Sequence, residues 1–125
     1  MSQNITCLVF RNATQFYHQY FYDADNRITQ VETSLDGVLW NHDARYEYYP
    51  HGPLARMELG QYKVQGVDYA YTLQGWLKGI NSEQLNPAND IGGDGVVGTP
   101  HEMVGRDAFG MTLGYYGDED FKAIG

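Results

Sequence analysis

The sequence predicts an all-β fold of consecutive antiparallel β-hairpins with a loop-rich C-terminal third. Three observations lead there. The chain of 125 residues holds 11 Tyr and 15 Gly against 4 Pro; Tyr favours strands and Gly favours turns and bulges. A tyrosine motif recurs through the first two-thirds of the chain. Within each copy the turn-forming residue falls at a fixed offset from the tyrosines, as regularly spaced hairpins require.

The repeat comes first. Tyr20 to Val31 (YFYDADNRITQV), Tyr46 to Met57 (YEYYPHGPLARM) and Tyr69 to Ile80 (YAYTLQGWLKGI) align without gaps. Each opens with a pair of tyrosines two residues apart: Tyr20 and Tyr22, Tyr46 and Tyr48, Tyr69 and Tyr71. Such spacing puts both rings on one face of a strand. Four residues beyond the second Tyr stands one that tolerates positive φ: Asn26, Gly52 or Gly75. That arrangement fits a type I turn closed by a left-handed residue, a three-residue hairpin loop with a bulge. Asp23 suits the first turn position, where its carboxylate accepts a local backbone N–H, and Pro50 suits the second, where its φ is already fixed. The returning strand carries Ile28, Leu54 or Leu77, and three residues later Val31, Met57 or Ile80. This spacing breaks strict alternation and predicts a second bulge or a twist there.

Between the copies, Asp36-Gly37 reads as a two-residue hairpin turn. Strands are expected at about 15–22, 27–34, 38–48, 53–59, 67–72 and 76–80. Residues 1–14 read as a poorly defined leader. Residues 82–106 (SEQLNPANDIGGDGVVGTPHEMVGR) are rich in Gly, Pro, Asn and Asp and read as a loop or poorly ordered connector. From Asp107 onward, Phe109, Met111, Leu113 and Tyr115 alternate at period two. They are expected to open a further unit over 107–125 that is incomplete at Gly125, as in a segment of a longer protein.

The pattern Y-x-Y-D-x-x-N-R-I at Tyr20 to Ile28 resembles the tyrosine–aspartate (YD) repeat of rearrangement-hot-spot (RHS) proteins. The stretch from Asp43 to Asn81, and DAFGMTLGYYGDEDF at Asp107 to Phe121, are similar to the repeat regions of long YD-repeat proteins of Bacteroidetes-like bacteria. The resemblance implies a twisted strip of hairpins that, in full-length relatives, spirals into a hollow shell. Such shells enclose or present a C-terminal toxin or effector domain in secreted or cell-surface proteins. Tyr20, Tyr22, Asp23, Asn26, Ile28, Tyr46, Tyr48, Gly52, Leu54, Tyr69, Tyr71, Gly75 and Leu77 are then repeat-defining structural residues. The expected partners are neighbouring repeats, or a second chain joined through edge strands, together with an enclosed toxin domain.

Composition narrows the function classes. A formal charge of -8, from 8 Lys plus Arg against 16 Asp plus Glu, argues against nucleic acid and against anionic membrane surfaces. No run approaches the ~18 apolar residues of a membrane span. The first residues lack the basic and apolar regions of a signal peptide. Cys7 stands alone, so no internal disulfide is expected.

No catalytic constellation emerges. Ser2, Ser34 and Ser82 lie in no nucleophile motif, and His18, His42, His51 and His101 show no metal-ligand spacing. Arg56 and Glu58 alternate on one strand and read as neighbours on its outward face. Asn89, Asp90 and Asp94 in NDIGGDG offer hard oxygen ligands for Ca²⁺, but without an EF-hand pattern, and read as a solvated loop. Asp118, Glu119 and Asp120 read as a solvated charge run. A non-catalytic protein without cofactor or metal is expected. The competing expectation is a binding module for glycans or proteins that stacks ligands on Trp40 and Trp76. A contiguous exposed aromatic patch favours binding; aromatics engaged between hairpins favour a wall.

Overall fold

The computed structural model describes residues 4–11, 14–82, 85 and 88–115. The chain is all-β: one open antiparallel sheet whose strands lie side by side in sequence order. They are β1 (Asn4–Arg11), β2 (Thr14–Tyr22), β3 (Ile28–Ser34), β4 (Asn41–Tyr48), β5 (Leu54–Leu59), β6 (Gln65–Tyr71), β7 (Leu77–Ile80) and the two-residue β8 (Met111–Thr112). No helix among the described residues is long and apolar enough to cross a membrane.

The three repeats are three equivalent hairpins. The first Tyr of each pair stands opposite the later apolar residue: Tyr20 with Val31, Tyr46 with Met57, Tyr69 with Ile80. The second Tyr stands opposite the earlier one: Tyr22 with Ile28, Tyr48 with Leu54, Tyr71 with Leu77. A register shift falls just before the second Tyr in every copy. The extra residue on the returning strand (Thr29, Ala55 or Lys78) is the bulge that stretches the apolar spacing to three.

The turns also match bond for bond. The amide of Asp23, Tyr49 or Thr72 donates to the carbonyl of Arg27, Pro53 or Trp76 at 2.7–3.0 Å. The amide of Asn26, Gly52 or Gly75 donates back to the first turn residue. Asp23 Oδ1 accepts from the amides of Asp25 and Arg27, each at 2.9 Å. These backbone bonds, aided by the Arg27 guanidinium, lower the Asp23 pKa. Thr72 Oγ1 does the same work for the Trp76 amide.

Gly52 sits at φ +121, beyond the left-handed well that Asn26 occupies at φ +60. A Cβ there would meet nothing within 4 Å, so any cost of a side chain is backbone strain alone. Gly52→Val is expected to destabilise the chain by about 1–3 kcal/mol, and Gly52→Asn by clearly less. Urea unfolding of the two variants measures the difference; an unchanged Val midpoint would contradict the turn geometry.

Two segments differ from expectation. Residues 4–11, read as a leader, form β1, paired residue for residue with β2. Asp36-Gly37 is not a two-residue turn, because β3 ends at Ser34 and β4 begins at Asn41. Asp36 Oδ1 accepts from the amides of Val38 and Leu39, and buried Ser34 Oγ accepts from the Gly37 amide. These side-chain bonds offer the backbone an alternative to the ladder and widen the loop.

Register sorts the sheet into two faces. One carries Tyr20, Val31, Ala44, Tyr46, Met57, Val67, Tyr69, Ile80 and Met111. The other carries Gln30, Arg45, Glu47, Arg56, Glu58 and Asp68. Among the described residues only Ala44 and Val104 are buried apolar residues. Buried polar ones include Ser34, Arg56, Glu58, Asp68, Asn81, Ser82 and Asp94. The most protected part of the molecule is therefore charged.

Candidate functional site

The charged face of β5 and β6 is roofed by the segment after β7. Residues 82–106, read as a loop or poorly ordered connector, hold no strand among the described residues, but the segment returns to the sheet and is tied down at several points, with Asp94 buried where a solvated loop was expected. Gly105 donates to the Lys63 carbonyl at 3.0 Å. Asn81 sits at φ +57; its Oδ1 accepts from the Asp68 amide at 2.8 Å, and its Nδ2 donates to the Phe109 carbonyl at 2.7 Å.

Arg56 is the centre. It is 4% exposed, so its position beneath the roof corrects the expected outward face for Arg56 and Glu58. Nη1 donates to Asp68 Oδ2 and Nη2 to Asp94 Oδ1, both at 2.5 Å, while Nε reaches Glu58 Oε1 at 3.4 Å. A guanidinium presents its donors as a planar fork, which suits two carboxylates at once. Glu58 is also met by Lys63 Nζ and His101 Nδ1, each at 3.4 Å. Burial opposes the charge on Arg56, yet its bonds to Asp68 and Asp94 raise its pKa further. For Asp68 and Asp94 burial wins over the guanidinium, and both pKa values are raised. Burial also works to raise Glu58, but Lys63 and Arg56 together lower it.

Close approach at Arg56 depends on two glycines. A Cβ at Gly66 would collide with Asp94 Oδ2 and Arg56 Nη2, and one at Gly92 with Asp68 Oδ2 and Arg56 Nη1.

Asp90 and Asp94, considered above as Ca²⁺ ligands, are used otherwise. Asp90 accepts from the amides of Gly92 and Asp94, at 3.3 and 2.7 Å. Asp94, its side chain wholly buried, faces Arg56, so a guanidinium stands where a hard cation was envisaged. Among the described residues no group of three or more His, Cys, Asp or Glu is arranged to hold a metal ion. The run Asp118 to Asp120 lies outside the described residues.

The aromatics lie elsewhere, along the end of the sheet where the hairpin turns sit. Tyr49, His51, Ala70, Tyr71, Thr72 and Leu73 line an open groove of about 450 Å³. Trp76, Leu77 and Tyr115 line another of about 460 Å³, with the Trp76 and Tyr115 rings 5.2 Å apart. Trp76 is 47% and Tyr115 41% exposed. Trp40 is apart from both, half-buried and edge-on to Tyr17 at 6.5 Å. The two tryptophans do not form one patch.

Several tyrosine hydroxyls are committed to neighbouring hairpins. Tyr48 donates to the Ile28 carbonyl at 2.7 Å, Tyr49 to Tyr69 at 2.8 Å and Tyr115 to Leu77 at 2.5 Å. Ile28 and Leu77 are equivalent repeat positions, so Tyr48 and Tyr115 make the same bond two hairpins apart. Arg27 of the first turn lies over the Tyr48 ring of the second hairpin at 4.6 Å.

No family model, curated protein or solved structure matches the chain.

Proposed function

We propose that this chain is a non-catalytic structural segment of a repeat sheet, a piece of wall of the YD-repeat type. In full-length relatives of that type the wall encloses or presents a C-terminal toxin or effector domain, in a secreted or cell-surface protein. The observation that carries the reading is the recurring bond from a tyrosine hydroxyl to the backbone of the next hairpin. A binding surface leaves its polar tips free for ligand; here they are used to fasten one unit to another. The buried charge points the same way, because it is closed beneath its roof and lines neither groove.

In such a wall β1 is a joining edge. It is an outermost strand, its sequence NITCLVFR carries one charge and no proline, and its ladder to β2 has no bulge. A long edge of this kind is a template for another strand.

A second reading is a glycan- or protein-binding module that uses the groove at Trp76 and Tyr115, favoured by the exposure of both rings. Light scattering after size-exclusion chromatography, with far-UV circular dichroism, separates the two. A β-rich chain that associates is the result expected of a wall segment. A monodisperse, cooperatively unfolding monomer would overturn it in favour of the binding module.

A further inference from the structure

The sheet is covered on the side that needs it least. The segment after β7 roofs the charged side, where Asp94 meets Arg56. The β3–β4 loop leans the same way: Gly37 packs against the Tyr17 ring and Trp40 stands edge-on to it, and Tyr17 points to the side opposite Tyr20 by strand alternation. The other side holds the tyrosines and aliphatics, and a sheet has to bury its apolar face against a second layer. Yet Val31, Met57, Val67 and Ile80, residues of kinds that a covered core buries fully, are only half-buried. At the turn end Arg27 lies over the Tyr48 ring, a charged rim to this apolar face.

The face is corrugated. Tyr20, Tyr46 and Tyr69 stand on β2, β4 and β6, and Val31, Met57 and Ile80 stand opposite them on β3, β5 and β7. Neighbouring strands lie about 4.8 Å apart, so tyrosine ridges recur every ~10 Å with aliphatic furrows between them. Ridges and furrows of equal period make the face complementary to itself. A two-fold axis between two layers, parallel to the strands and midway between two neighbouring ones, lays the ridges of one copy in the furrows of the other. Sheets packed in this aligned way have interdigitating inner faces.

Charge and area agree with such an occupant. None of the residues that register places on this face is charged, so the formal charge of -8 sets no like charges against each other at these positions. From β2 to β7, about six residues of strand height give a plan of roughly 29 by 20 Å, about 600 Å² per copy. Two copies together bury about 1,200 Å², enough for a specific interface.

We propose that the tyrosine face is a self-association surface, on which a second copy of this chain packs ridge into furrow to close a two-layer β-sandwich. Such pairing goes beyond the wall reading, which needs only edge strands to join.

Met57 lies on β5, the middle strand of β2 to β8, and is the place to test it. Light scattering after size-exclusion chromatography, over a range of concentrations of the full chain, gives the dissociation constant, and circular dichroism gives the fold. The wild type is expected to run as a dimer. Met57→Lys is expected to keep the β-rich spectrum and weaken the dimer at least about a hundredfold, because pairing would bury an unpartnered charge. Met57→Leu, apolar and of similar volume, is expected to keep the dimer. Should Met57→Lys fail to fold, Val31→Lys in the first hairpin places a charge on the same face and must weaken the dimer likewise. Association unchanged by both Lys variants overturns the proposal and leaves the edges, and with them the wall reading, standing. Loss of the dimer in Met57→Leu overturns it too, since apolar contact would then not be what joins the copies. A wild-type monomer overturns both readings, and its binding to phosphatidylcholine vesicles would give the face to a lipid surface instead.

Discussion

Arg56→Met is expected to destabilise the chain by about 3–5 kcal/mol, the cost of leaving buried charges without their partner. Asp68 and Asp94 would both lose the fork that faces them, and Glu58 would keep only Lys63 and His101. Urea unfolding followed by circular dichroism gives the number. Arg56→Lys is expected to recover little, because a point charge cannot span two carboxylates as a planar fork does. The companion measurement combines Arg56→Met with Asp68→Leu and Asp94→Leu. Removing the whole buried group is often less harmful than removing one member, so the triple variant should be more stable than Arg56→Met alone. A loss below about 1 kcal/mol for Arg56→Met, the range of exposed ion pairs, would mean that water reaches the cluster.

Asn81→Ala is expected to cost roughly 3 kcal/mol, from the buried Asp68 amide and the part-buried Phe109 carbonyl left without partners and from a positive φ that Ala, lacking the short polar side chain of Asn, tolerates less well. Asn81 joins the Asp68 amide to the Phe109 carbonyl and so fastens β6 to the returning segment. Asn81→Gly separates the two contributions: it relieves the backbone but still lacks both bonds, and should recover about 1 kcal/mol. Equal losses for the two variants would place the whole effect in the hydrogen bonds. Neither loss would leave the fastening of β6 to some other contact.

The hairpins were legible because everything that specifies them is local. The Tyr pair, the residue at positive φ and the displaced aliphatic lie within one short stretch, and the departure from alternation at Ile28 and Val31 announced the bulge. Asp36-Gly37 misled because the dipeptide is a turn signal, whereas Ser34 and Asp36 side chains decide which backbone amides are taken. β1 was missed because one short apolar stretch has no repeat to vouch for it. The charged site was hidden for a different reason. Arg56 and Glu58 alternate with Met57 as residues of a half-solvated strand do, and local pattern cannot reveal a roof arriving from Asp94, 38 residues away. A usable clue was present in glycines beside acids: Gly66 next but one to Asp68, and Gly92 two before Asp94, where bare backbone lets carboxylates crowd a guanidinium.

Strands that touch only their sequence neighbours also set how the molecule comes together and apart. Nearly every pairing closes a short loop, so the entropic barrier is low and any of the hairpins can form first, on the microsecond scale of isolated hairpins. Growth then proceeds as a zipper in either direction. Pulled by its ends, such a sheet should peel strand by strand at low force, since no strand is held by a distant one. The exception is β5 to β7, where Arg56 and Asn81 tie early chain to late. That region is the natural last stop of the peeling, a knot of charge in an otherwise sequential ribbon.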